Sequence, residues 1–463
     1  MIRNTHTFLL IQAIPGARPF ILLLFILSVF RLNAQTYITY SPNDENIQYQ
    51  GRINFSNPAK PVFAYPGISI KAKFQGTDVK IKLNGGAGSS ANYFNVFIDG
   101  EFVKKFELQD EMKNEICQTG MDDTIHTVEV TKRTESFCGK VEFLGFEIAG
   151  ELLPPDPLPL KKIQFIGNSI TCGYGNEDVP TNGFTSDKEN NYLAYGAVCA
   201  RELNAQYQAI AYSGRGVAFN WACSEGDVVP VIYEKYFADD ELTPENQYDH
   251  TSYIPDLIVI NLGTNDHSCD QLTDQNFKEP YVNFIATLKS YFPDVKILCL
   301  TGPMNSSDAF RTRVQDIVNT SGGADQGIYY FDQTHIIGIA YAGGHWHPNT
   351  QMADINGKEV AAFIWENNLL GISATSEPAT INIQDRIFPN PVTSGQPINI
   401  DLTSIHSQQP IQVKIIDLYG KTIQNYLLKP GQRHQIPTEN LKGFYFATAK
   451  SQTKIYGGTF IVN

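Results

Sequence analysis

Short apolar runs that end in glycine and then in a polar side chain are the feature that most restricts the fold of this chain. Residues 257–262 form such a run, bounded by Pro255 and Gly263. A continuous apolar run of this length is typical of a strand buried on both faces, as in a parallel sheet. Similar runs lie at 163–166, 297–300 and 328–331, and they alternate with helix-like segments at 191–203, 280–291 and 351–368. This alternation predicts a three-layer α/β domain with a largely parallel sheet.

Chemically useful residues follow the predicted strands or the loop before the last helix. Ser169 follows the run at 163–166, Gly214 follows 209–212, and Asn265 follows 257–262. Because α/β sheets bind ligands at the carboxyl ends of their strands, we expect these positions to meet at one edge. A serine hydroxyl needs a base to become a nucleophile, and His347 is the candidate base. The N–H of Gly214 and the amide of Asn265 can stabilise an oxyanion.

The order Ser169, Gly214, Asn265, His347 resembles the four blocks of the SGNH hydrolase superfamily. Within it, Gly-Asn-Ser-Ile-Thr at 167–171, Trp-His-Pro at 346–348 and a preceding β-rich region are similar to carbohydrate esterase family 2. The likeness spans about residues 37 to 370. It implies an esterase that removes acetyl groups from glucomannan or xylan, with Ser169 and His347 as catalytic residues. The same resemblance implies an oxyanion hole formed by Ser169, Gly214 and Asn265.

The usual third member of such a triad is missing. The superfamily places an Asp three residues before its His, where this chain has Gly344. An orienting group holds the imidazole in the correct tautomer, and a backbone carbonyl can do this in a Ser–His dyad. Asp332, which follows the strand at 327–331, is a distant alternative. Its simpler interpretation, which we favour, is a residue that caps a loop.

Three further side chains near the blocks are candidates for substrate binding. Trp221 and Trp346 can each stack against a sugar ring or pack into the protein. His345 is either a solvated loop residue or a participant in the site. We expect Asp266 to brace its own turn, the usual habit of Asp there. No carboxylate or cysteine near the histidines completes a ligand pattern, so the sequence predicts neither a metal nor another cofactor.

Charge and targeting signals indicate a secreted protein. The chain of 463 residues carries 35 Lys plus Arg against 48 Asp plus Glu, a formal charge of -13, which argues against nucleic-acid binding. Residues 20–30 are apolar and precede Leu32-Asn33-Ala34, so residues 1–34 are predicted to be a cleaved signal peptide that leaves no membrane span. A retained anchor is the alternative.

Seven cysteines follow the predicted cleavage point, in a compartment where disulfides form. Cys117 and Cys138 flank a predicted strand in the N-terminal region and are the first candidate pair. Cys223 and Cys269 lie in loops just after two site blocks and are the second. An odd number leaves at least one thiol unpaired within a monomer.

Strand-like patterns and linker-like segments divide the rest of the chain into domains. Alternating runs within 35–151 predict a β-sandwich, for which the family resemblance implies a jelly roll that shapes a carbohydrate groove or only supports the enzyme. A proline-rich linker at 152–159 leads to the catalytic domain at 160–372. A second linker at 373–384 precedes a small β-sandwich at 385–463.

The last region resembles the C-terminal sorting domain of type IX secretion substrates. The likeness rests on Pro-Asn-Pro at 389–391, Asp-Leu-Tyr-Gly-Lys at 417–421 and Gly-Phe-Tyr at 443–445. It implies the type IX machinery as a partner, and a released or surface-attached product. A small carbohydrate-binding sandwich is the structural alternative.

Together these features predict a secreted hemicellulose acetylesterase that acts through an acetyl-enzyme on an acetylated polysaccharide. An esterase acting on lipid or peptidoglycan would use the same blocks. No long apolar lid segment lies near them, which disfavours lipid. A glycan-binding surface protein without catalysis is the alternative from another class. It requires the placement of Ser169 and His347 to be accidental.

Overall fold

The computed structural model describes residues 36–334, 341–371, 381–382, 387–403, 410–417, 421–450 and 455–463. The predicted signal peptide lies outside these ranges, as does nearly all of the predicted linker at 373–384.

The N-terminal region is an antiparallel β-domain. Its strands are β1 (Ile38–Tyr40), β2 (Ile47–Gln50), β3 (Ile53–Asn54), β4 (Val62–Phe63), β5 (Ser69–Gly85), β6 (Asn92–Ile98), β7 (Glu101–Leu108), β8 (Met112–Gln118), β9 (Thr124–Lys132) and β10 (Val141–Leu153). Their order is β3-β4-β10-β5-β9-β6-β7, with β1 on β10 and with β2 and β8 on β5. The first half of β5 pairs with β9 and its second half with β8. The predicted β-rich domain is therefore confirmed.

The alternating sequence of β5 explains this arrangement. Val79, Ile81 and Leu83 are fully buried in one apolar core. Lys80 and Lys82 alternate with them, and their ammonium groups lie 3.6 and 2.9 Å from the carboxylate of Glu147 on β10. Successive residues of a strand face opposite sides, so one face is apolar and the other is charged.

The central region is the predicted α/β domain. Its strands are β11 (Lys161–Gly167), β12 (Ala205–Ala211), β13 (Leu257–Asn261), β14 (Lys296–Thr301) and β15 (Ile328–Asp332). They form a five-stranded sheet in the order β12-β11-β13-β14-β15, and all neighbours are parallel. Its helices are α1 (Ser169–Cys172), α2 (Tyr195–Glu202), α3 (Val229–Tyr233), α4 (Asp274–Tyr291), α5 (Asp308–Thr320) and α6 (Thr350–Glu366).

Helices cover both faces of this sheet. Ile258 and Ile260 of β13 pack with α4 and α5 in one core, whereas Leu257 and Val259 pack with α2 and α6 in the other. A strand buried on both faces reads as a continuous apolar run, which is why the sequence predicted β13 well. The three-layer expectation is confirmed.

Two predicted helices differ from the observed ones. The segment at 191–203 begins as a 3₁₀ turn at Asn191–Leu193, and α2 follows it. The helix predicted at 280–291 begins earlier, at Asp274, because Thr273 and Asn276 form a reciprocal capping box. Pro280 lies inside α4, although proline in a sequence usually marks a boundary.

The C-terminal region contains β16 (Ile381–Asn382), β17 (Ile387–Phe388), β18 (Ile398–Asp401), β19 (Ile411–Asp417), β20 (Thr422–Leu428), β21 (Arg433–Ile436), β22 (Gly443–Lys450) and β23 (Ile455–Val462). The sheets β16-β23-β22-β19-β20 and β17-β18-β21 enclose a separate apolar core. The predicted small sandwich is confirmed.

The β-domain packs directly against the α/β domain. The Arg52 guanidinium is buried and donates to the carbonyls of Tyr233 and Lys235 at 2.6 and 2.9 Å. Tyr65 Oη donates to the carbonyl of Ile232 at 2.9 Å. None of the helices in the described part of the chain has the length and apolar character needed to span a bilayer.

Candidate active site

Ser169 lies on a tight strand-to-helix turn. Strand β11 ends at Gly167, and α1 begins at Ser169. Asn168 caps the helix by accepting a hydrogen bond from the N–H of Ile170 at 3.3 Å. A Cβ atom on Gly167 would lie only 2.0 Å from Thr171 Oγ1, so the turn requires glycine. The turn places the hydroxyl at the carboxyl edge of the sheet, as predicted.

His347 contacts Ser169 directly. Its Nε2 lies 2.8 Å from Ser169 Oγ, and its Nδ1 lies 3.2 Å from the carbonyl oxygen of Gly344. A carbonyl only accepts hydrogen bonds, so Nδ1 carries the proton of the neutral ring. Nε2 then has a free lone pair and can accept the proton of the Ser169 hydroxyl.

Burial keeps His347 neutral. It lowers the pKa of His347 from 6.5 to about 4, although the carbonyl of Gly344 opposes this shift. The ring of Tyr174 contributes to the burial, with its centroid 4.4 Å from that of His347, and Phe184 lies 4.6 Å beyond it. Sequence reasoning missed Tyr174. Its position five residues after the serine, in a Gly-Tyr-Gly segment, was the available signal.

Asp332 is occupied elsewhere. Its carboxylate accepts hydrogen bonds from Thr301 Oγ1 and from the N–H of Thr334, both at 3.0 Å, and it lies 3.9 Å from Arg311 Nε. The Nδ1 partner of His347 is the carbonyl of Gly344. The geometry therefore agrees with the simpler interpretation of Asp332 as a loop-capping residue.

Gly214 and Asn265 lie on the loops that follow β12 and β13. Gly214 has φ +76°, a left-handed conformation that favours glycine. Asn265 Nδ2 donates to the carbonyl of Arg215 at 2.8 Å, which uses one of its two N–H bonds. Within the described ranges, the N–H groups of Ser169 and Gly214 have no hydrogen-bond acceptor. The site thus holds donors that an oxyanion can use.

Asp266 makes more contacts than predicted. Its carboxylate bonds its own backbone, as expected, and also accepts hydrogen bonds from the N–H groups of Val217, Ala218 and Phe219 at 3.2, 2.7 and 2.8 Å. Three successive backbone donors surround one buried carboxylate, as in an anion nest. Asp266 therefore ties the loop after β13 to the loop that carries Gly214, a contact that local turn preferences do not reveal.

The two tryptophans near the site are exposed. Trp221 is 62% exposed and Trp346 is 55% exposed, so neither is a core residue. Left-handed backbone accompanies both: Ala222 and Cys223 follow Trp221, and His345 and Trp346 itself have φ +47° and +62°. Such pairs of non-glycine residues are strained and are typical of functional loops.

The exposed residue His345 makes specific contacts. Its Nδ1 lies 2.9 Å from Tyr174 Oη, and its N–H donates to the carbonyl of Asn182 at 3.0 Å. His345 is therefore exposed, in agreement with its interpretation as a solvated loop residue, but its ring and its backbone are held by neighbouring groups. The ring of Tyr174, which covers His347, is therefore hydrogen-bonded to His345.

One of the two predicted disulfides is present. Cys223 and Cys269 are bonded, with Cα atoms 4.8 Å apart. Cys117 and Cys138 are both free and buried, so that prediction was wrong. Cys117 lies in the apolar core of the β-domain, whereas Cys138 faces the buried polar groups of Lys132 and Thr134. The two thiols therefore lie in different environments.

A buried polar cluster lies behind α1. One ligand-type atom from each of Glu135, Cys172 and Glu189 lies within 4.8 Å of the others. Burial raises the pKa of all three groups, and repulsion from Glu135 raises that of Glu189 further. Lys132 adds a buried cation beside them. The cluster therefore suits protons and hydrogen bonds better than a metal ion.

Comparison with known proteins assigns each region. Residues 49–157 match the family Carbohydrate esterase 2 N-terminal, and residues 165–355 match the GDSL-like Lipase/Acylhydrolase family. A solved family two carbohydrate esterase from Clostridium thermocellum, in complex with cellohexaose, is 32% identical, with a TM-score of 0.65. The alignment covers 70% of this chain and 99% of that one. The chain belongs to carbohydrate esterase family 2.

Curated relatives of this family 2 member carry matching names. The cellulase/esterase CelE of Acetivibrio thermocellus is 33% identical over 341 residues, 72% of this chain but only 40% of CelE. An acetylxylan esterase/glucomannan deacetylase of Cellvibrio japonicus is 28% identical over 312 residues, 67% of this chain and 83% of that protein. The resemblance stated from the sequence is confirmed at the level of the family.

The third match concerns export. Residues 386–463 of this family 2 chain match the Secretion system C-terminal sorting domain family. The match indicates type IX secretion and confirms the C-terminal sorting domain predicted from the sequence. The alternative of a carbohydrate-binding sandwich in this region loses its basis.

Proposed function

We propose that this chain is a secreted acetylesterase that removes O-acetyl groups from hemicellulose through an acetyl-enzyme on Ser169. The observation that carries the proposal is the 2.8 Å contact between His347 Nε2 and Ser169 Oγ, beside N–H groups of Ser169 and Gly214 that have no acceptor among the residues the structure describes. Nucleophile, base and donors converge as an acyl-transfer site requires.

Acylation begins at the Ser169 hydroxyl. His347 Nε2 accepts the hydroxyl proton while Oγ attacks the acetyl carbonyl carbon and forms a tetrahedral adduct. The N–H groups of Ser169 and Gly214 and the Asn265 amide stabilise its oxyanion. The adduct collapses, the C–O bond to the sugar breaks, and His347 returns the proton to the departing sugar oxygen.

Deacylation uses the same groups in reverse. His347 removes a proton from water, the resulting hydroxide attacks the acetyl carbonyl, and the bond to Ser169 Oγ breaks with return of the proton to Oγ. Acetate leaves. Throughout the cycle the carbonyl of Gly344 holds Nδ1–H and stabilises the transient imidazolium. The chemistry is thus that of a Ser–His dyad.

Recognition of sugar is assigned to the exposed aromatic residues. Trp221 and Trp346 each present an apolar face to solvent on loops that also carry a site residue. Aromatic faces suit the C–H surfaces of a pyranose ring, and their polar edges tolerate water. A polysaccharide chain lying across these rings would present its acetyl groups to Ser169. His345 positions Tyr174 rather than binding substrate in this account.

The relatives support the substrate class. One is named as an acetylxylan esterase/glucomannan deacetylase, and a family two structure holds cellohexaose, a β-linked glucan. The first description names two polysaccharides and the second an oligosaccharide. They favour acetylated glucomannan and xylan over lipid or peptidoglycan, and the net charge of -13 disfavours nucleic acid.

Acetate release by the mature protein tests this proposal. Acetylated glucomannan and acetylated xylan are compared with a long-chain acyl ester and with acetylated peptidoglycan at matched acyl concentration. Rapid release from the two hemicelluloses supports the proposal and ranks them. Faster hydrolysis of the long-chain ester or of peptidoglycan would move the function to the corresponding substrate. Binding of glucomannan without release from any ester would favour the glycan-binding alternative.

A further inference from the structure

Glu135 belongs to the N-terminal β-domain but reaches the active-site edge of the α/β domain. It follows β9 and is fully buried. Its Oε2 accepts a hydrogen bond from the N–H of Ser213 at 2.6 Å, and its Oε1 accepts one from Ser213 Oγ. Ser213 directly precedes Gly214. One carboxyl group thus holds both the backbone and the side chain of the residue before a proposed oxyanion donor.

We propose that Glu135 is a positioning residue for the oxyanion hole, because it fixes Ser213 and thereby the direction of the Gly214 N–H. This inference rests on the proposed function and deepens it. In it, the β-domain supplies part of the catalytic geometry rather than support alone.

Contacts on the other side of Gly214 complete the restraint. The carbonyl of Gly214 accepts the N–H of Trp221 at 2.8 Å, and the N–H of Arg215 donates to the carbonyl of Tyr212 at 3.3 Å. The Gly214 peptide is therefore held from both ends. Glycine at φ +76° has no Cβ to restrict it, so its orientation depends on these neighbours.

The surroundings of Glu135 allow a buried carboxyl to act as an acceptor. Glu189 Oε2 accepts the N–H of Glu135 at 3.1 Å, and Lys132 Nζ donates to the carbonyl of Glu135 at 3.1 Å. Burial raises the pKa of both carboxyls, and repulsion from Glu135 raises that of Glu189 further. A proton on Glu189 removes the repulsion and leaves Glu135 to accept from Ser213.

Domain cohesion does not require this contact. Arg52 and Tyr65 already cross the interface with buried hydrogen bonds to carbonyls of residues 232–235. Those contacts reach the C-terminal end of α3 and Lys235, whereas the bond from α3 to the loop that carries Gly214 is made at the start of the helix, by the N–H of Val229 to the carbonyl of Gly216 at 2.9 Å. A purely structural role for Glu135 therefore predicts the same consequences as loss of Arg52, whereas positioning predicts an additional loss of turnover.

The test compares Glu135→Ala, Glu135→Gln and Ser213→Ala with the control Arg52→Met in the full mature chain. For each variant, kcat and KM are measured on a soluble acetyl ester and on acetylated glucomannan, and the folded fraction is taken from thermal unfolding. Misplacement of a donor acts on the transition state, so we expect Glu135→Ala to lower kcat about 10- to 100-fold with KM within about threefold. Ser213→Ala keeps the backbone bond and should lose less. Arg52→Met should lose stability while kcat per folded molecule is retained.

Glu135→Gln sharpens the result. Its amide oxygen still accepts the Ser213 N–H, and its NH₂ can donate to Ser213 Oγ, so most of the turnover lost in Glu135→Ala should return. Wild-type kcat in Glu135→Ala, or a loss equal to that of Arg52→Met, would overturn the inference. If Glu135→Ala does not fold, an unchanged kcat per folded molecule in Ser213→Ala overturns it. A wild-type protein without Ser169-dependent hydrolysis would instead remove the proposed function itself.

Discussion

The pair Ser169 and His347 and the donors Gly214 and Asn265 lie at the same sheet edge, but different kinds of contact hold them. The pair is aligned by local geometry, a tight turn after β11 and the carbonyl of Gly344 three residues before His347. The donors depend on partners distant in sequence: Glu135, Asp266 and the Cys223–Cys269 disulfide. The Ser169–His347 pair is therefore encoded in short motifs, whereas the proposed oxyanion hole depends on contacts between distant parts of the chain.

The largest effect in this comparison is expected for Asn265→Ala. Loss of one oxyanion donor typically costs about 100- to 1,000-fold in kcat, because the charge it stabilises develops only in the transition state. Steady-state kinetics on a soluble acetyl ester measures this. The buried Asn265 also holds the carbonyl of Arg215, so the folded fraction is checked by thermal unfolding. A rise in KM with kcat unchanged would mean that Asn265 acts in ground-state binding instead.

The pH dependence of kcat/KM tests the Ser169–His347 pair. His347 must be neutral to act as a base, and its lowered pKa of about 4 keeps it neutral in mildly acidic solution. We expect kcat/KM to stay level from pH 7 to pH 5 and to fall about tenfold per unit below about pH 4. An acidic limb near pH 6.5 would contradict the burial of this imidazole.

Unfolding must be separated from titration in that experiment. Because the folded-state pKa of His347 lies below its unfolded value, its contribution to stability is present above about pH 6.5 and is lost as pH falls towards 4. Thermal unfolding at each pH therefore accompanies the kinetics. Activity that recovers on return to pH 7 identifies titration rather than denaturation.

Removal of the disulfide should weaken the donors and spare the pair. Cys223→Ser with Cys269→Ser frees two loops at the sheet edge, so we expect roughly 2 to 5 kcal/mol less stability and about 3- to 10-fold lower kcat. The acidic limb of the kcat/KM profile reports the His347 imidazole separately from the donors. A shift of that limb together with the loss of kcat would show that the disulfide supports both halves alike.

The smallest effect is expected for Asp332→Asn. Asp332 bonds Thr301 and Thr334, and the orienting partner of His347 is the Gly344 carbonyl. Turnover should therefore remain within about twofold of wild type, measured on the same ester. A loss of orders of magnitude with normal folding would restore Asp332 as a triad member and end the dyad account.

What the sequence could predict follows the same division. Ser169 and His347 were accessible because strand ends in a parallel sheet converge, and the same rule brought Cys223 and Cys269 together. The pair Cys117 and Cys138 rested on proximity in an antiparallel region whose strand pairing no local pattern specifies. Glu135 gave no signal, since a single glutamate in a loop of another domain carries no periodicity. Only the packing of the two domains brings it to Ser213.

The start of one helix and some partners of one side chain were not predicted, for equally local reasons. The capping box at Thr273 outweighed the breaking tendency of Pro280, so α4 starts earlier than its proline suggests. The carboxylate of Asp266 bonds its own backbone, as its turn position predicts, and it also accepts hydrogen bonds from three N–H groups of a neighbouring loop. The capping box overrides the preference of Pro280, whereas the long-range contacts of Asp266 add to its local one.

Acetate release from acetylated glucomannan by the mature protein and by Ser169→Ala tests the central claim most directly. Replacement of the hydroxyl removes the nucleophile and leaves the fold, so the account predicts release by the wild type and a rate lower by at least about 10⁴-fold in the variant. Equal release by the two proteins, with the variant folded, would contradict Ser169 as the nucleophile and with it the proposed mechanism.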